Sequence, residues 1–217
     1  MRRNRNEYIP ALTFDWLTSL YDPLMRWTMR ESVFKRRLVE QAGLEKGHRV
    51  LDLGCGTATL TILIKKTQPG AEVVGIDGDR KILEIARDKV KREGLEIPFY
   101  EGMAFDLLCR DDYFDRAFSS LMFHHLTRDD KSRTVREIRR VLRPGGELHV
   151  ADFGEPQNVF MRAISLVVRH FEEASDNVQG LLPEMFQKAG FEQIEETAHY
   201  MTIFGALSLY KARKPDG

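Results

Sequence analysis

A doubly wound α/β fold, with a mostly parallel sheet between two layers of helices, is what this sequence predicts, and three observations carry it. Short apolar runs of strand length alternate with stretches whose apolar residues recur every three or four positions. The first run ends directly in a glycine turn, Gly54-Cys55-Gly56, and a helical stretch follows it. The alternation continues to about Phe153, and strands joined by helices need right-handed crossovers that cover both faces of a parallel sheet. Five strands in this rhythm and two closing ones make about seven.

The elements follow in order. From Ala11 to Ala42, Phe14, Leu17, Leu20, Leu24, Trp27, Phe34, Leu38 and Val39 recur at helical spacing, with Asp22-Pro23 as a helix start, so residues 1–43 form an N-terminal helical cap. The main domain, 44–217, opens at Gly43 and Gly47 with a buried strand, RVLDLG, and a helix over Thr59 to Lys66. Glu72 to Asp77 is the second strand, and Ile82, Ile85, Ala86 and Val90 mark the apolar face of a helix closed by Gly94. A third strand covers Pro98 to Gly102 and a fourth Tyr113 to Ser120. Val135, Ile138, Val141 and Leu142 stripe a helix that Pro144-Gly145-Gly146 ends, and Glu147 to Phe153 is the fifth strand. A helical insert of about 155–182 follows, with Val159 to Phe171 as its apolar stretch. Leu182 to Ala189 is helical, and Phe191 to Ile194 and Thr202 to Tyr210 are the closing strands.

Composition narrows the function. With 217 residues, 42% hydrophobic and 30% charged, the chain builds a substantial core. Lys plus Arg and Asp plus Glu both count 33, so the field that drives non-specific nucleic-acid binding is missing and a nucleic-acid partner is not expected. Cys55 and Cys109 lie far apart without ligand spacing and read as free thiols in a reducing, cytoplasmic setting. The basic start MRRNR precedes a stretch broken by Glu7, Pro10 and Asp15, which is not a signal peptide, and no apolar run reaches the roughly 20 residues of a membrane span.

Ligands of an open parallel sheet lie at the carboxyl ends of its strands, so four junctions carry the chemistry. At Asp52-Leu53-Gly54-Cys55-Gly56-Thr57-Ala58 the glycines let the backbone turn tightly before a helix start. A dinucleotide fingerprint would need glycine at position 59, where this chain has Thr59, and would not ask for Asp52. The second junction ends in Asp77-Gly78-Asp79, with Asp77 where a ribose-binding carboxylate sits and Asp79 placed to cap the next helix. Glu101-Gly102-Met103-Ala104 is the third and Ser119-Ser120-Leu121-Met122-Phe123-His124-His125 the fourth.

LDLGCGTA, VVGID, the Phe114-Asp115 pair and EIRRVLRPGG before a strand, over about residues 48 to 153, resemble the ordered motifs of the class I S-adenosylmethionine-dependent methyltransferases. Within them the chain is most similar to the ubiquinone/menaquinone-biosynthesis C-methyltransferase type, supported by FDWLTSLYDP and the tail. The resemblance implies a Rossmann-like sheet whose last strand is antiparallel, and S-adenosylmethionine as cofactor with S-adenosylhomocysteine as product. Gly54, Cys55 and Gly56 would pack against the methionine part, with Asp52 near its ammonium group and Thr57 lining the loop. Asp77, beside Gly78, would hold the ribose hydroxyls, and Met103 and Ala104 would flank the adenine. Ser120 and Leu121 would lie beside the sulfonium, and Tyr21 would close over the methionine end. Two positions depart from the family: Met103 stands where an acid or amide is usual, and Ala58 replaces the last glycine of the first motif at what reads as an ordinary helix start.

Methyl transfer is an in-line displacement whose main demand is alignment and exclusion of water. Where the acceptor must lose a proton, His124 or His125 is the candidate general base, against a loop-packing role for the pair. His149, inside a strand, reads as a structural histidine, and Trp16, Trp27 and Phe14 as core before acceptor roof. Asp111-Asp112 and Asp129-Asp130 are turn and helix-start residues, and no metal is expected. Arg136, Arg139, Arg140 and Arg143 read as a solvated face. Position 119–122 reads Ser-Ser-Leu-Met in place of the Asn/Asp-Pro-Pro-aromatic motif of base-amine methylation. The expected partner is a small, apolar or aromatic acceptor, and the protein a monomer or homodimer. An NAD-dependent oxidoreductase on a related sheet and a non-catalytic S-adenosylmethionine-binding module stay open as alternatives.

Overall fold

The computed structural model describes residues 31–154, 180–202 and 205–217. Most of the N-terminal cap, including Phe14, Trp16, Tyr21 and Trp27, and the insert with its Val159 to Phe171 stretch lie outside them.

The chain runs α1 (Glu31–Glu40), β1 (Arg49–Leu53), α2 (Thr59–Thr67), β2 (Glu72–Asp77), α3 (Arg80–Arg92), β3 (Phe99–Glu101) and β4 (Phe114–Ser120). A 3-10 turn (Phe123–His125), α4 (Arg128–Val141), β5 (Leu142–Phe153), α5 (Leu182–Lys188), β6 (Glu192–Thr202) and β7 (Gly205–Arg213) follow among the described residues. The seven strands form one sheet in the order β3-β2-β1-β4-β5-β7-β6. The pairs β1–β2, β1–β4, β2–β3 and β4–β5 are parallel, and β7 runs antiparallel to both its neighbours.

Strand side chains alternate between faces, so one strand feeds two cores. Leu51 and Leu53 of β1 pack with Ala117, Val135, Ile138, Val141 and Phe186 on the face covered by α4 and α5. Val50 packs with Phe34, Leu38, Leu60, Ile64 and Phe118 on the face covered by α1 and α2. The stripe on α3 differs from the expected one: Ala86 and Val90 are buried against Phe99 as expected, but Leu83 is the third buried residue, while Ile85 is exposed and Ile82 half-buried. Asp79 caps α3, its Oδ1 accepting from the Lys81 amide at 2.9 Å and the Ile82 amide at 3.4 Å.

Three further expectations change. β5 begins at Leu142 rather than Glu147, because the Gly145 amide donates to the Lys214 carbonyl (3.0 Å) and the Lys214 amide to the Gly146 carbonyl (2.9 Å), so the Pro-Gly-Gly segment pairs as strand. β6 spans Glu192–Thr202, so Thr202 belongs to β6, not to the last strand. Arg140 is not a solvated charge: it donates to the carbonyls of Leu107 (2.8 Å) and Cys109 (2.7 Å) and pairs with Glu137 and Asp111, fastening the loop before β4. His149 is a core histidine, fully buried, stacked on Phe118 and 3.2 Å from the Gln41 amide.

Candidate functional site

From β1 the chain builds β2 and β3 on one side and then crosses back to β4 on the other side of β1, so the carboxyl end of β1 is the point where strand order reverses and a crevice opens. Leu53 delivers Gly54 into it. Gly54 has φ +68°, and its amide and that of Cys55 both donate to the Ile76 carbonyl, at 2.8 and 3.1 Å. A Cβ on Gly54 would stand 2.4 Å from Cγ and 2.7 Å from Cβ of Met122, so only glycine lets the loop lie against the segment after β4. Gly56 has φ +53° and nothing within 4 Å of a Cβ position; its amide donates to Asp77 Oδ2 at 2.9 Å. Asp77 Oδ1 accepts from the Asp79 amide at 3.0 Å, so one half-buried carboxylate at the end of β2 ties both junctions. Burial raises its pKa, and the amides of Asp79, Gly56 and Gly78 oppose the rise.

Asp52 lies beneath the loop rather than on its surface. It points to the α2 side of β1, is 1% exposed, and accepts from Thr61 Oγ1 at 2.6 Å. Desolvation raises its pKa from 3.8 to about 6, against the Thr61 bond and the charge of Lys35. Cys55 is a buried free thiol, pushed up by burial and by Asp52 and Asp77 beside it; Cys109 is free as well. Lys89 of α3 reaches Thr59 Oγ1 at 2.7 Å and Thr57 Oγ1 at 3.5 Å. Ala58 is no ordinary helix start: it is fully buried in the left-handed region at φ 63°.

At the third junction the Gly102 amide donates to the Asp77 carbonyl at 3.0 Å, bringing Met103 and Ala104 to the same edge, with Met103 exposed. At the fourth, Leu121 has φ 56° and its amide donates to the Ala151 carbonyl. Ser120 Oγ is buried there with no hydrogen-bond partner among the described residues. That orphaned hydroxyl and the open space above Gly56 fit a polar, extended ligand such as S-adenosylmethionine laid across the strand ends.

His124 and His125 follow in the 3-10 turn, with different surroundings. His124 is buried, and its Nδ1 lies 2.9 Å from Asp152 Oδ1. His125 is exposed beside it, ring centroids 3.9 Å apart, and partial desolvation and the charge of His124 lower its pKa. Asp152, at the end of β5, did not emerge from the sequence; the available signal was an acid inside the buried run Leu148 to Phe153. Among the described residues no cluster of His, Cys, Asp and Glu could hold a metal ion, and no helix is long and apolar enough to cross a membrane.

A family model described as a methyltransferase domain matches residues 50–146. The chain is 36% identical over 154 residues to the demethylmenaquinone methyltransferase of Thermus thermophilus, covering 70% of this chain and 68% of that protein. It is 36% identical over 171 residues to the methyltransferase GfsG of Streptomyces halstedii, with 74% of this chain matched but only 59% of that protein's length spanned. Among solved structures, a putative methyltransferase of Bacillus halodurans shares the fold at a TM-score of 0.67 and 22% identity, over 83% of this chain and 98% of that one. The chain belongs to the class I S-adenosylmethionine-dependent methyltransferases. Within that class it is of the quinone C-methyltransferase-like type.

Proposed function

We propose that the protein transfers a methyl group from S-adenosylmethionine to a small, apolar or aromatic molecule. One observation supports this reading above the others: the Gly56 amide and Asp77 carboxylate are joined at the switch point, with open space above Gly56. A turn of this shape offers backbone to a ligand's chain and a carboxylate to its ribose hydroxyls, without the third glycine that a pyrophosphate needs.

S-adenosylmethionine supplies an electrophilic methyl on a sulfonium. Asp77 would accept from the ribose hydroxyls, the Gly54 to Gly56 backbone and Thr57 would line the methionine end, and Asp52 beneath them would add negative charge toward its ammonium. Met103 and Ala104 would flank the adenine through thioether, methyl and backbone contacts. Ser120 and Leu121 would border the reacting centre, with the His124–His125 pair next along the chain to take the acceptor's proton.

Calorimetric titration of the full chain with S-adenosylmethionine, S-adenosylhomocysteine and NADH, beside Asp77→Ala, tests the reading. Micromolar binding of both sulfur compounds, lost in the variant, is expected. Binding of NADH alone would overturn it.

A further inference from the structure

We infer that the Glu31–Lys35 ion pair of α1 is a clamp for an amino-acid zwitterion: Lys35 takes the carboxylate of the cofactor's methionine end, and Glu31 its ammonium. This rests on the proposed methyl transfer and says how the same site tells the whole cofactor from one cut back to its adenosine part.

Glu31 and Lys35 stand one turn apart at the start of α1, and Lys35 Nζ donates to Glu31 Oε1. A helix pair of this spacing commonly sits in water, where it adds little to stability. Here the two side chains are only 13% and 11% exposed, so both charges are largely withdrawn from water. Glu31 is the one hydrogen-bond partner of Lys35 among the described residues, which leaves two ammonium hydrogens and Glu31 Oε2 unused there.

The fold carries this pair toward the carboxyl edge of the sheet. Just past the end of α1, the Ala42 carbonyl accepts from Arg116 Nε at 2.8 Å, near the start of β4. From that anchor Phe34 and Leu38 lay α1 over Val50, Phe118 and Ala151, and at about 1.5 Å per residue Lys35 lies about 10 Å along the helix. Ser120 lies about 13 Å along β4 from the same anchor, at about 3.3 Å per residue. Val50 and Phe118 belong to the core under α1, so Asp52 and Ser120, two residues further along each strand, face the same side. The charge of Lys35 is felt at Asp52, where it opposes the rise that burial causes in the carboxyl's pKa. Ser120 Oγ, buried without a hydrogen-bond partner among the described residues, adds a hydroxyl to the two carboxylates and the cation.

A ligand with a single charge would leave half of the opened pair uncompensated away from water, which is unfavourable. A group with ammonium and carboxylate on one carbon leaves neither. The Glu31–Lys35 contact opens, each side chain turns to the opposite charge, and the net charge of the site is unchanged. Asp52 beneath adds to the preference for the ammonium, and no covalent bond is made or broken.

Calorimetric titration of the full chain with four compounds tests this: S-adenosylhomocysteine, its decarboxylated and deaminated analogues, and methylthioadenosine, which has neither charged group. The wild type is expected to bind S-adenosylhomocysteine at least about tenfold more tightly than either single-group analogue. Lys35→Met should lose about 10- to 100-fold in affinity for S-adenosylhomocysteine and for the deaminated analogue, yet stay within about threefold for the decarboxylated one. Glu31→Gln should show the mirror image, losing the decarboxylated analogue and keeping the deaminated one. Lys35→Arg, which keeps the charge, should recover most of the affinity. An equal loss for all four compounds, or wild-type affinity throughout, in either Lys35→Met or Glu31→Gln overturns the inference. So does a wild type that binds methylthioadenosine as tightly as S-adenosylhomocysteine, a result that needs no variant to fold and leaves the cofactor reading standing. A wild type that binds none of the four removes the cofactor reading itself, and the clamp with it.

Discussion

Gly54 and Gly56 share a left-handed backbone, yet alanine at the two positions is expected to do different damage. At either, alanine in that region costs about 1–2 kcal/mol, offset by about 0.5–1 kcal/mol because alanine has less freedom to lose on folding. At Gly56 nothing lies within 4 Å of the added carbon, so the net loss of stability is about 0–1.5 kcal/mol. At Gly54 the carbon would sit 2.4 Å from Met122 Cγ and 2.7 Å from Met122 Cβ. The Cγ can rotate away, but the Cβ moves only with its backbone, which leads directly into the His124 turn. Overpacking of this kind adds about 1–3 kcal/mol, for a total of about 1–4.5 kcal/mol. Urea unfolding followed by circular dichroism measures the first quantity, and calorimetric titration with S-adenosylhomocysteine the second. Gly56→Ala is expected to keep its midpoint near wild type and lose at least tenfold in affinity, since its methyl enters the open space above the loop. Gly54→Ala is expected to lose in both. Equal midpoints for the two variants, or wild-type affinity in Gly56→Ala, would refute the reasoning.

Asp52 carries a folded-state pKa of about 6 against 3.8, so the unfolded chain gives up its proton first, and stability falls as pH rises from about 4 to 6. The decline is about 3 kcal/mol and absent in Asp52→Asn, which should be more stable than wild type at pH 7.5 by urea unfolding yet bind S-adenosylmethionine more weakly. Arg140→Met leaves the Leu107 and Cys109 carbonyls without their guanidinium and should lose about 2 kcal/mol, with faster amide exchange confined first to residues 106–112. Ala58→Gly relieves a strained residue but removes a buried methyl and adds chain freedom, so it should stay within about 1 kcal/mol of wild type; Ala58→Val, branched and left-handed, should lose at least about 2 kcal/mol in the same assay.

Strands β1, β2 and β4 were legible because each buries side chains on both faces and is followed along the chain by a helix. β6 was legible only at its start, Phe191 to Ile194, because Glu192, Gln193, Glu195 and Glu196 are exposed along the sheet edge and two register shifts against β7 interrupt the side-chain period. The start of β5 failed for a related reason. Pro144-Gly145-Gly146 carries turn chemistry, but Gly145 at φ 73° lets the backbone approach residue 214 closely, and that partner lies some seventy residues away.

The site divides along the same line. Gly54, Gly56 and Asp77 could be read locally, because a left-handed backbone and a carboxylate at a strand end are demands that neighbouring residues impose. Asp152 and Arg140 could not, since each acts on a loop that folding brings to it: Asp152 on the turn at 123–125, Arg140 on residues 107–111. Asp152 is a charged side chain within the buried run Leu148–Phe153, and burying a charge is unfavourable unless it is bonded. Ser120 shows the converse. Its buried hydroxyl has no hydrogen-bond partner among the described residues, and such a group at the mouth of a crevice gains most from a ligand that supplies the missing bond. Replacing it with alanine should therefore cost more in cofactor affinity than in stability, whereas Asp152→Ala, which strips three donors of their acceptor, should cost more in stability than in cofactor affinity.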